Sequence, residues 1–196
     1  MRAIILLLAV LLAPMAWAGE RVDLPGFSFE RPGAPWRQAA YYGPRRGDIQ
    51  NERYMVHYGT NDGVLSTAFL EVRAWLEPEA KGGLEASLAW LKGQFEAAPK
   101  TASQRFTYTA HEMKEVKLGG ATCAYWHSAN EDRGVPHHEG DVYVTVINTY
   151  YCPHPDNPAY MIALMYSTRL APGAAPFTQD SDLDSLAQSL TFQRLP

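Results

Sequence analysis

Four of the six histidines, His127, His137, His138 and His154, fall between residues 127 and 156, together with Glu131, Asp132, Glu139, Asp141 and Asp156. Imidazole and carboxylate are the ligands zinc and copper take, so a metal would be sought here first. His137, His138, Glu139 and Asp141 are close enough in sequence to share one ion. Adjacent side chains point oppositely from extended backbone, so a turn would have to bring the two histidines together. The competing expectation is a solvated polar hairpin tip with no cofactor.

Other chemistry has less to stand on. His111-Glu112-Met113-Lys114-Glu115 lacks the second histidine of the metallopeptidase helix, and its neighbours Thr107, Tyr108, Thr109 and Val116 favour strand. There is no Gly-x-Ser-x-Gly, phosphate loop or Gly-x-Gly-x-x-Gly, so hydrolase-elbow and nucleotide readings have no starting point. Cys152 stands two residues from His154, and a thiol hydrolase would need that cysteine reduced. A hydrolase with an unrecognised site is the reading left over.

The N-terminus sets the redox context. Arg2 precedes an apolar run from Ala3 to Ala13, and Ala16-Trp17-Ala18 supplies small residues at the two positions a signal peptidase reads. A secretory leader over 1–18 is therefore expected, cut between Ala18 and Gly19, with 19–196 as a single domain. The apolar run is too short to span a bilayer, and no cysteine follows the cut, so neither kind of membrane anchor is expected. The destination is periplasmic or secreted.

In an oxidising compartment, Cys123 and Cys152 should form a disulfide. About 28 residues separate them, and closing that loop is worth roughly 3–4 kcal/mol. If the two cysteines face each other across a hairpin, the register runs symmetrically away from them. The apex then falls between His137 and His138, and His127 stands opposite Asn148. His127 lies about ten residues from the tip, too far at roughly 3.3 Å per residue to share an ion with it.

Aromatic residues offer a further site. Alternation along 141–151 puts Val142, Val144 and Val146 on one face and Tyr143, Thr145 and Ile147 on the other. Tyr125, Tyr143 and Tyr151 are candidates to line a groove for a small ligand or a protein partner. The formal net charge of −4 and the scattered basic residues argue against a nucleic-acid partner.

The elements that must position these residues follow from periodicity. Two-residue alternation predicts strands over 24–32, 53–58, 68–76, 107–117, 121–129 and 141–151. Ala159 to Thr168 is apolar on both faces and should be a central strand, while the charged 107–117 strand should lie near an edge. Leu84, Leu88, Leu91 and Phe95 form a helical stripe that Pro99 should end, and Leu183, Leu186 and Leu190 form a second. Strands linked as hairpins, with helices outside the run, predict an α+β domain with an antiparallel sheet flanked by helices.

The segment Pro25-Gly-Phe-Ser-Phe-x-x-Pro-x-x-x-Trp36 resembles the start of PsbP-like domains, and a helix leading into Ser189-Leu-Thr-Phe192 resembles their end. The 130–140 loop and the cysteine pair match no part of that pattern. The resemblance implies an α/β/α sandwich and a binding scaffold more than an enzyme. It points to a non-catalytic envelope protein that binds a partner protein or small ligand. Metal binding by the 127–141 loop is the alternative.

Overall fold

The computed structural model describes residues 20–34, 36–42, 52–59, 66–77, 82–101, 105–135, 140–176 and 180–195. The leader expected over 1–18 lies outside them, as do His137, His138 and Glu139. In chain order the elements are β1 (Arg21–Leu24), β2 (Phe27–Glu30), β3 (Arg37–Tyr42), β4 (Glu52–Gly59), β5 (Thr67–Leu76), α1 (Leu84–Thr101), β6 (Phe106–Leu118), β7 (Ala121–Asp132), β8 (Tyr143–His154), β9 (Asn157–Leu170), α2 (Asp180–Ser189) and β10 (Thr191–Phe192).

Seven strands form one antiparallel sheet in the order β3-β4-β5-β9-β8-β7-β6. Strands β6 to β9 are a simple meander, because each hairpin can pair its strands as soon as the turn forms. β9 sits in the middle as expected, with Tyr160, Met161, Ile162 and Leu164 all at most 1 % exposed. β6 is an edge, and its exposed Glu112, Lys114, Glu115 and Lys117 oppose pairing with another chain. The chain is thus α+β with two antiparallel sheets, the second being the small set β1-β2-β10.

Alternation gives the large sheet two different faces. One presents Leu70, Val72, Cys123, Cys152, Ile162, Leu164 and Tyr166; Phe27 and Phe29 of β2 and Leu183, Leu186 and Leu190 of α2 close over it. The opposite face presents Trp75, Met113, Ala124, Tyr151 and Met161, where Leu88, Trp90 and Leu91 of α1 pack. A helix therefore lies on each face. The α1 stripe holds from Leu88 onward, but Leu84 in the first turn stays 40 % exposed.

Some boundaries differ from expectation for local reasons. α1 continues past Pro99 to Thr101, since a proline in the last turn removes only one hydrogen bond before the helix ends. β8 runs through Pro153 to His154, leaving Pro155-Asp156 as the turn. β1 and β10 are short, and their pairing with β2 makes them strands.

His154 fastens the small sheet to the large one. At 1 % exposure, its Nδ1 accepts from the Asp156 amide at 3.1 Å, so Nε2 carries the hydrogen. That N–H faces two carbonyl oxygens, Gly26 and Gln193, each at 2.9 Å. The approach works only because Gly26 turns at φ 84° and has no side chain; a Cβ there would lie 2.5 Å from Leu195 Cδ2 and 3.4 Å from His154 Nε2. We expect Gly26→Ala to destabilise the fold by about 1–2 kcal/mol from the left-handed backbone alone, read as a fall in the thermal midpoint. An unchanged midpoint would show that the turn relaxes freely.

Candidate functional site

Cys123 and Cys152 are bonded and fully buried. The register around them is the symmetric one: Tyr125 pairs with Tyr150, and His127 with Asn148. No free cysteine remains among the described residues, so a Cys152 nucleophile has no thiol. His111 and Glu112 lie in β6, where alternation sends them to opposite faces. The helical metallopeptidase geometry is thereby excluded.

That register also separates the three tyrosines. Tyr125 shares a face with its partner Tyr150 and with the cysteines; Tyr143 and Tyr151 occupy the other face. Tyr143 is 2 % exposed and packs with Val135 and Ala171. The helix over the Tyr143 face is α1, whereas the terminal helix covers the cysteines. Of the three, Tyr151 alone reaches a cleft on the α1 face.

That cleft lies between α1 and the sheet, with a volume of about 440 Å³. β5, β9, β8 and β7 make its floor, and Trp90, Leu91 and Gln94 of α1 make its wall. Two cross-strand rows define the floor. In one, Ala163 stands between Arg73 and Tyr151; in the next, Met165 stands between Glu71 and Thr149, and Trp126 follows. The hollow exists because Ala163 is small where its neighbours are large. Trp75 meets Tyr151 edge-on at 6.4 Å between centroids, and Trp126 lies 5.8 Å from Tyr151. Burial pushes the Tyr151 phenol up, with a Thr149 hydrogen bond and the Arg73 charge pulling it partly back. Such an aromatic recess with a few polar groups is the usual form of a small-molecule site.

Toward the β6 edge on the same face, His111 stacks on Phe95 at 3.7 Å and sits edge-on to Trp126. Burial lowers its pKa and favours the neutral ring. His111 Nε2 and Trp126 Nε1 are buried and have no hydrogen-bond partner among the described residues.

The cysteine face carries a second, more polar hollow near the start of α2. Asn148 Oδ1 accepts from the Tyr125 hydroxyl at 3.0 Å and from His127 Nδ1 at 2.6 Å, which fixes the His127 tautomer. Tyr150 donates to Asp184 at 2.6 Å, and burial followed by that carboxylate holds its phenol well above the usual tyrosine range. These groups satisfy one another, so the hollow has little left to offer a ligand.

Asp141 of the loop is exposed. Among the described residues, no three His, Cys, Asp or Glu side chains stand close enough to hold a metal ion. Asp132 is instead spent on structure. At 0 % exposure it accepts from Arg105 Nε and Nη2 at 2.6 and 2.7 Å and from the Gly134 amide at 3.1 Å, with Arg169 at 3.5 Å.

No protein-family model matches the chain, and no curated protein matches it significantly. No described helix is long and apolar enough to cross a membrane. Sequence reasoning missed Arg73, Trp75, Trp90 and Trp126 as a group because they come from three separate elements. Their local signal was the mixed face of the 68–76 strand, where Arg73 and Trp75 alternate with apolar residues.

Proposed function

We propose that this chain is an exported, non-catalytic binding protein of the cell envelope that holds its ligand in the cleft between α1 and the sheet. The observation that carries the reading is the cleft itself: Trp75, Trp90, Trp126 and Tyr151 around about 440 Å³, over a floor opened by Ala163. A buried disulfide and the lack of a spanning helix among the described residues fit a protein working outside the cytoplasm. We further propose removal of residues 1–18 on export. The helix on each sheet face is in keeping with the PsbP-like resemblance.

The test uses N-phenyl-1-naphthylamine, a neutral apolar probe that brightens when it leaves water. We expect saturable one-to-one enhancement with quenching of tryptophan emission, and at least a tenfold loss of affinity in Ala163→Leu, whose added methylenes fill the hollow. Unsaturable binding, or binding that Ala163→Leu leaves unchanged while the variant remains folded, would sink the assignment of this cleft.

A further inference from the structure

We infer that the ligand of this cleft is a small carboxylate with an aromatic or aliphatic body, seated with its head on Arg73; this rests on the binding reading above. The floor offers two charges, Glu71 and Arg73, on the same face of β5. They differ in what they can still do. Glu71 is 5 % exposed and already in an interaction of its own. Arg73 is exposed, and no carboxylate among the described residues pairs with it.

Arg73 is also held in place. Its guanidinium carbon lies 5.2 Å from the Trp75 ring centroid. A guanidinium resting on an indole face keeps its in-plane N–H edges free, and those edges match the two oxygens of a carboxylate. Stacking on an aromatic ring leaves less side-chain freedom to lose when the anion arrives. Beyond the head, Tyr151, Trp126, Trp90 and Met165 give an apolar surface for the body.

The same geometry disfavours a cationic ligand. The Trp75 face, where an ammonium group would gain most from the ring, is occupied by Arg73, and Glu71, the carboxylate of the floor, is buried and already engaged. A neutral ligand would gain the apolar contacts but leave the fork unused.

Three probes of matched size separate these cases by calorimetric titration of the disulfide-bonded chain at neutral pH and low salt: phenylacetate, phenylacetamide and phenethylammonium. Phenylacetate should bind at least about 10-fold tighter than the amide, the value of one charge-assisted pair, and phenethylammonium weakest. Arg73→Gln should bring phenylacetate down to the level of the amide, abolishing the ratio between the two probes. Arg73→Lys should recover only part of the preference, because an ammonium cannot make the paired bonds. Arg73 is exposed, so neither change should alter the unfolding midpoint materially.

Equal binding of carboxylate and amide, or a preference that survives Arg73→Gln, overturns the carboxylate assignment while leaving the cleft as a binding site. Failure of all three probes while N-phenyl-1-naphthylamine still binds also overturns the ligand class alone. Failure of every probe overturns both.

Discussion

Replacing both cysteines, Cys123→Ala with Cys152→Ala, is expected to lower the unfolding free energy by about 3–4 kcal/mol. The bridge joins β7 to β8 across a sequence separation of 29, so its loss frees a long loop in the unfolded chain. Both residues lie at 0 % exposure beneath the apolar cover formed by β2 and α2. The double alanine removes the cross-link without leaving a polar group there. A single Cys→Ser change should cost more, since it adds a buried hydroxyl as well. The check is a urea titration of wild type and double variant, comparing the midpoint and the slope. Coincident midpoints would mean that the bridge contributes nothing the hairpin does not already supply. Because the bond is buried, reductant added to the folded protein should act only as fast as the protein opens. Reductant combined with denaturant should reproduce the double variant.

Asp132→Ala should have the second largest effect, about 2–3 kcal/mol, a range reduced because its partner Arg105 is partly open to water. The paired Arg105 hydrogen bonds, helped by the Gly134 amide, hold the Asp132 carboxyl below the usual carboxylate range. A carboxylate depressed in the folded state contributes its full stability above its unfolded pKa, near 4, and loses it as pH falls through the folded value. Wild type and variant should therefore differ most at neutral pH and converge on acidification below about pH 4. A difference that stays constant from pH 7 to pH 3 would show that the loss comes from packing alone. The pair also joins two strand ends. Arg105 is the first described residue after α1, and its carbonyl accepts from the Arg133 amide at 3.0 Å. The contact thus ties the start of β6 to the end of β7, close to where the helix that walls the cleft ends.

Much of the sheet is written locally. Alternation and β-branched or aromatic content located β5, β7 and β8, a run apolar on both faces located β9, and the cysteine pair supplied the β7–β8 register, with His127 opposite Asn148. The same register holds the reason the tyrosine groove failed to assemble. A strand pairing that places Tyr125 against Tyr150 puts Tyr125 on the face that Tyr151 does not share. Face membership within a strand depends on parity alone, but across strands it depends on register. The cleft was harder to see for a different reason. Arg73, Trp90 and Tyr151 come together only through the β5–β9 pairing and the packing of α1, both long-range facts. Ala163, whose small size opens the hollow, reads in sequence as one more apolar residue of a central strand. His154 shows how little composition says about a role: it stands among acidic neighbours in sequence, while its two ring nitrogens are committed to backbone groups.

The place of β9 between β5 and β8 carries a consequence for how the molecule comes into being. β6 to β9 can assemble by successive turns, but β5 must find β9 across α1 and three intervening strands, with Leu76 finally set against Tyr160. Closing so large a circuit is an entropic cost met before its contacts give any return, which makes that step the slow one. The cleft, with β5 as one side of its floor and α1 as its wall, is complete only after that step. In a newly made chain the residues that line the cleft would thus come together only after the β6–β9 meander has formed, and the chain would stay open and threadable until then.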